Sequence, residues 1–90
     1  MKFEWDEDKS RSNETKHGID FSTATQLWKD YARVEIQTDF PNEARDVLIG
    51  DINGKLWTAI FTWRNDIVRI ISVRRARKKE AKLYETKESR

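Results

Sequence analysis

The dipeptide Asn53-Gly54 stands between two stretches that read as β-structure, Arg45 to Ile52 and Leu56 to Trp63. Both residues populate the positive φ angles of a type I′ turn, whose twist matches that of paired strands, so Asp51 to Lys55 is expected to join two antiparallel strands. A second turn at Asn65-Asp66 leads into Ile67 to Val73, a run rich in β-branched residues. One hairpin running into another makes a meander from Arg45 to Val73. Upstream, Tyr31, Arg33, Glu35 and Gln37 alternate against Ala32, Val34, Ile36 and Thr38, a period of two that can add a fourth strand beyond the interruption at Phe40-Pro41-Asn42.

Helical signals flank this region. A short extended start, with Phe3 and Trp5 alternating against Lys2 and Glu4, precedes a polar helix capped by Asp6 and ended by Gly18. Another helix is expected from Ser22, where Ala24, Leu27 and Trp28 share one face at i, i+3, i+4 spacing. At the other end Arg75 to Glu88 contains Ala81, Leu83 and Tyr84 without glycine or proline and should be helical. The expected fold is α+β: an antiparallel sheet of about four strands, two N-terminal helices and one C-terminal helix, in a single domain over residues 1–90.

Charge is distributed unevenly. Met1 to Arg45 carries 7 basic and 10 acidic residues, a balance of minus 3, whereas Asp46 to Arg90 carries 11 basic and 6 acidic, a balance of plus 5. Between Arg69 and Lys82 lie Arg69, Arg74, Arg75, Arg77, Lys78, Lys79 and Lys82 against one acid, Glu80. Such a run produces a local positive field suited to phosphate, and it equally suits a solvated helix face. There is no cysteine, which removes disulfides, thiolate chemistry and cysteine zinc sites. No apolar run is long enough to span a bilayer and the acidic opening is unlike a signal peptide, so a cytoplasmic location without membrane contact is the expectation.

The sequence holds no phosphate loop, dinucleotide fingerprint or metal-binding histidine pair, so neither cofactor nor metal is expected. His17, the sole histidine, can act as acid or base, or simply place a cation at a helix C-terminus. Strict alternation would put Arg69, Ile71 and Val73 on one strand face and Val68, Ile70 and Ser72 on the other. Arg69 then reaches a cleft or edge where Arg74 converges with it, while Arg64 sits near the opposite end of the strand. Paired guanidiniums can hold a phosphodiester and stabilise charge developing at phosphorus; they can also serve ion pairs or lie over aromatic rings.

Two sets of residues carry a resemblance. Phe3-Glu4-Trp5-Asp6, Lys9, Asn13 and Lys16-His17-Gly18-Ile19 with Phe21 and Ala24 open the chain; Glu43, Arg45, Gly50, Gly54, Phe61-Thr62, Arg64, Arg69-Ile70-Ile71-Ser72, Arg74, Ala76, Glu80 and Tyr84 follow in order. In this the chain resembles the BrnT family of bacterial type II toxins. The resemblance implies a compact RelE-like ribonuclease that needs no metal. It implies a BrnA-like antitoxin partner in a hetero-oligomer that reaches operator DNA through the antitoxin. Two departures stand out: only Phe40-Pro41-Asn42 lies between Asp39 and Glu43, where relatives carry a longer loop, and Arg75 and Arg77-Lys78-Lys79 add charge around Arg74.

On that footing the candidate catalytic residues are Arg64, Arg69 and Arg74 as phosphate clamp, with Lys16, His17 and Glu43 for proton transfer or positioning. Arg75, Arg77, Lys78, Lys79, Lys82 and Tyr84 are candidates for RNA contact. The expected reaction is metal-independent RNA cleavage that leaves a 2′,3′-cyclic phosphate. Trp57, Trp63 and Tyr84 are candidate anchors for the antitoxin, with at least two of them expected to be core aromatics. The competing classes are a non-catalytic nucleic-acid-binding module and a scaffold that docks an acidic partner.

Overall fold

The computed structural model describes residues 1–37 and 45–88. Its elements are β1 (Lys2–Glu4), α1 (Glu7–His17), α2 (Phe21–Ala24), a 3-10 segment (Thr25–Lys29), β2 (Val34–Gln37), β3 (Asp46–Ile52), β4 (Lys55–Arg64), β5 (Ile67–Arg75) and α3 (Lys78–Glu88). The strands form one five-stranded sheet in the order β1-β5-β4-β3-β2. Asn53 and Gly54 adopt φ of 53° and 84°, as the hairpin between β3 and β4 requires, and the Asp51 carboxylate accepts the Gly54 N–H at 3.1 Å.

The sheet has one strand more than expected, and it is mixed. β1 pairs in parallel with β5, Lys2 opposite Ile67, Phe3 opposite Val68 and Glu4 opposite Arg69. Three residues give little local signal, but β5 would otherwise expose an unpaired edge. Phe3 also packs edge-on against Trp28, with ring centroids 5.2 Å apart.

α1 begins and ends where its caps place it. The Asp6 carboxylate accepts the N–H groups of Asp8 and Lys9, and Gly18, at φ 81°, turns the chain out of the helix. This helix has no apolar face; its buried residues are Ser10 and Asn13. Ser10 accepts the Phe21 N–H at 2.9 Å, while the Asn13 amide donates to the carbonyls of Ile19 and Val73 and accepts from the Val73 N–H. Asn13 thus occupies the edge of β5 beyond the point where β1 ends.

The second N-terminal helix starts at Phe21 rather than Ser22 and lasts one α-turn before narrowing to the 3-10 segment. Asp20 sets the start by accepting the Thr23 N–H at 2.8 Å. Hydrogen bonds from Thr23 hold that carboxyl below its ordinary range. Ala24, Leu27 and Trp28 are buried as their spacing predicts. With Ile19 and Phe21 they meet Leu48, Ile52, Trp57, Ala59, Phe61, Val68, Ile70 and Val73 on one sheet face. Gly50 lets the segment close in, since a Cβ there would lie 3.3 Å from the Leu27 carbonyl oxygen and 3.2 Å from its Cδ2.

The β2 strand starts later than Tyr31 because Asp30 makes a turn first, its carboxylate accepting the Ala32 N–H and its carbonyl the Arg33 N–H. α3 likewise starts later than Arg75, which is the last residue of β5. Glu80 accepts the Arg77 N–H at 2.7 Å, the reciprocal contact of a helix start whose first backbone bond runs from Ala81 N–H to the Arg77 carbonyl. α3 covers a corner of the opposite sheet face, where Tyr84 is buried and donates its hydroxyl to Asp30 at 2.7 Å.

Candidate active site

A β-bulge decides which side chains share the face that α3 only partly covers. β5 pairs Arg69 with Thr62 and Ile70 with Phe61, then Ser72 with Ile60 and Arg74 with Thr58, so Ile71 is the extra residue. Strict alternation therefore fails at Ile71. Val68, Ile70 and Val73 all turn into the core, and Arg69, Ser72 and Arg74 all face the other way. Without the bulge Arg69 and Arg74 would lie on opposite faces.

Two arginine stations result. At the first, Glu4 Oε2 accepts from Arg69 Nη1 at 2.7 Å and from Arg64 Nη1 at 3.3 Å. Parallel pairing puts Glu4 directly opposite Arg69, and the two-residue turn at Asn65-Asp66 brings Arg64 alongside. At the second, Arg74 makes a two-point contact with Glu80 at 2.8 and 2.9 Å, and the Thr58 hydroxyl donates to the same carboxylate at 3.0 Å. The hydrogen bond from Arg74 is the main reason the Glu80 carboxyl falls to about 2, with the Arg77 N–H and the Thr58 hydroxyl adding to it against the cost of burial. Glu80 in turn raises the guanidinium of Arg74 above its ordinary range. Thr62 and Thr58, opposite Arg69 and Arg74, are four residues apart on β4, which sets the stations about 13 Å apart along the strand.

This pairing differs from the arrangement read from spacing. Arg64, placed apart from Arg69 by its distance along the strand, is the residue that joins it, and Arg74 is held separately by Glu80. Lys16 and His17 form the last turn of α1, the end at which a cation is favoured. The helix leaves β1 beside Arg69 and is fastened to Val73 through Asn13, so it runs in the sense of β5 and carries Lys16 and His17 away from Arg64 and Arg69. Among the described residues neither side chain forms a hydrogen bond or ion pair. Glu43 and the short Phe40-Pro41-Asn42 connection lie outside the described residues.

Of the candidate RNA contacts, Arg77, Lys78, Lys79 and Lys82 are exposed around α3. Arg75 is exposed on the core side of the sheet, its guanidinium carbon 5.4 Å from the centre of the Trp57 ring. Tyr84 is enclosed, with its hydroxyl committed to Asp30. Among the three candidate anchors Trp57 and Tyr84 are core aromatics, as expected of two, while Trp63 is 47% exposed. Glu4 was not singled out by sequence reasoning. The available signal was its place in the opening Phe3-Glu4-Trp5-Asp6 block, but its partner could be known only from the parallel pairing of β1.

Among the described residues no group of three or more His, Asp or Glu side chains is arranged to hold a metal ion, and no helix is long and apolar enough to cross a membrane. No curated protein matches the sequence significantly. Residues 5–80 match the family model described as ribonuclease toxin, BrnT, of type II toxin-antitoxin system. That span contains both arginine stations except for Glu4, and it takes in most of the 90 residues. The chain belongs to the BrnT family of type II ribonuclease toxins.

Proposed function

We propose that this protein cleaves RNA by metal-independent acid-base chemistry, with a phosphodiester held on Arg64 and Arg69 and the adjacent 2′-hydroxyl as nucleophile. The products are a 2′,3′-cyclic phosphate and a 5′-hydroxyl. The observation that carries this reading is the convergence of two guanidiniums at one point of the sheet face that α3 only partly covers. Fixed guanidiniums bind planar oxyanions and favour the extra charge of a pentacoordinate phosphorus. Arg74 and the cations Arg75, Arg77, Lys78, Lys79 and Lys82 extend the positive field along the RNA backbone, and Tyr84 contributes by anchoring the helix that carries the lysines. Lys16, His17 and Glu43 remain candidates for proton transfer or positioning. The reading of the domain as RelE-like belongs to the same inference.

RNA incubated with the purified chain in excess chelator should acquire cyclic-phosphate ends; strict dependence on magnesium would remove the mechanism. The carboxylate partners of all three arginines also suit a non-catalytic module. In that case RNA would bind in a steeply salt-dependent way and remain intact.

A BrnA-like antitoxin is the proposed cytoplasmic partner, forming a hetero-oligomer that contacts operator DNA through the antitoxin. It would cover the face bearing Arg64, Arg69 and Arg74, with acidic groups speeding encounter and apolar anchors retaining it. Hydrogen exchange on free and bound toxin should show protection across residues 64–74. Protection confined elsewhere would instead favour a remote grip.

A further inference from the structure

A 2′-hydroxyl that attacks phosphorus must lose its proton to a group within hydrogen-bond reach, close to where the phosphate is held. Of the proton acceptors indicated by sequence, Lys16 and His17 do not meet that condition. Val73, to which α1 is fastened, pairs with Ala59, three residues along β4 from the Thr62 opposite Arg69 and so about 10 Å away, and Lys16 and His17 lie in the turn of α1 beyond Asn13. Glu43 is outside the described residues.

Glu4 does meet it. Its side chain shares the face of Arg69, is 31% exposed, and uses one oxygen, Oε2, for both guanidiniums. Among the described residues Oε1 accepts no hydrogen bond. One oxygen is thus anchored while the other is left open beside the two groups that would hold a phosphodiester. Each guanidinium carries five N–H donors, so a phosphate can occupy those Glu4 does not use.

We propose that Glu4 is the general base of the ribonuclease reaction, taking the 2′-hydroxyl proton on Oε1 while Oε2 keeps Arg64 and Arg69 aimed at the phosphate. The inference rests on the ribonuclease reading above. The O2′–P bond forms as the P–O5′ bond breaks. The 2′-hydroxyl proton passes to Glu4, the departing O5′ takes a proton from water, and Glu4 returns its proton to solvent.

The test is single-turnover cleavage of an oligoribonucleotide across pH by wild type, Glu4→Gln, Glu4→Asp and Glu43→Gln. Binding is measured on the same oligonucleotide carrying 2′-O-methyl groups, and folding by circular dichroism. Glu4→Gln should slow cleavage about 100-fold or more and abolish the rise in rate on the acid side of the profile, while binding stays within about threefold of wild type or tightens. Glu4→Asp, which keeps the carboxylate, should cleave more slowly than wild type yet retain the acid-side rise.

The proposal fails if Glu4→Gln keeps that rise, if its defect lies wholly in binding, or if Glu43→Gln alone removes the rise. Cleavage by Glu4→Gln at the wild-type rate would sink this assignment and leave the ribonuclease reading standing. A wild-type protein that never yields cyclic-phosphate ends would sink both.

Discussion

Glu4 and Arg69 are 65 residues apart in the chain and 2.7 Å apart in the fold, joined across the single parallel seam of the sheet. This contact ties the opening acidic block to the basic strand. It also brings a carboxylate, which sequence reasoning left aside, into the same cluster as two of the proposed clamp arginines.

Replacing Arg69 or Arg64 by alanine is expected to lower RNA cleavage by about 100-fold or more, the scale on which a charge-stabilising donor acts. Arg69→Lys should recover little, because an ammonium does not reproduce the planar fork. End-labelled RNA followed on gels, with circular dichroism to confirm the fold, checks both. Full activity in Arg69→Ala would rule out the clamp.

Glu80 makes stability depend on acid. Its folded value of about 2 lies below the ordinary 4.5, so the contribution is complete above about pH 4.5 and is lost as pH falls towards 2. With the Glu80 side chain 19% exposed, solvent screening makes about 3 kcal/mol an upper bound. Urea denaturation from pH 6 to pH 2 should show this slope in wild type and a shallower one in Glu80→Gln.

Asn13→Leu should destabilise the fold by about 3 kcal/mol. The substitution leaves the buried N–H and carbonyl of Val73 and the carbonyl of Ile19 without their partner, and each such loss costs about 1–3 kcal/mol. Equilibrium unfolding measures it directly. A change below 0.5 kcal/mol, the size of an ordinary surface substitution, would mean that water or another group replaces the amide.

At Gly50 even one methyl group is expected to cost about 1–2 kcal/mol, because the closest atoms belong to fully buried Leu27 and include its backbone oxygen. Thermal melting of Gly50→Ala should show the loss. Gly54→Ala should be destabilised for another reason, its φ of 84°, although open space surrounds its added carbon.

What could be read in advance was local. Asn53-Gly54 located the central hairpin, Asp6 and Gly18 bounded α1, and the 24, 27, 28 spacing identified a core face. What escaped depends on distant pairing. The extended start around Phe3 could be read, but its place in the sheet could not, because its parallel register is visible only against β5. The bulge at Ile71 is likewise invisible in a run of β-branched residues, yet it reverses the facing of every later side chain in the strand. The site followed the same division. The arginines could be named from sequence, but that Arg64 shares Glu4 with Arg69 while Arg74 turns to Glu80 could not.

The seam between β1 and β5 also bears on the order of synthesis. Residues of β1 leave a ribosome well before those of β5, so no nascent fragment that stops short of Arg69 contains both halves of the Glu4–Arg69 cluster. Such late, long-range closure delays native pairing until most of the chain is available. On the ribonuclease reading, a partly made toxin is harmless to the machinery making it, and the hazard begins only when translation of the domain is nearly done.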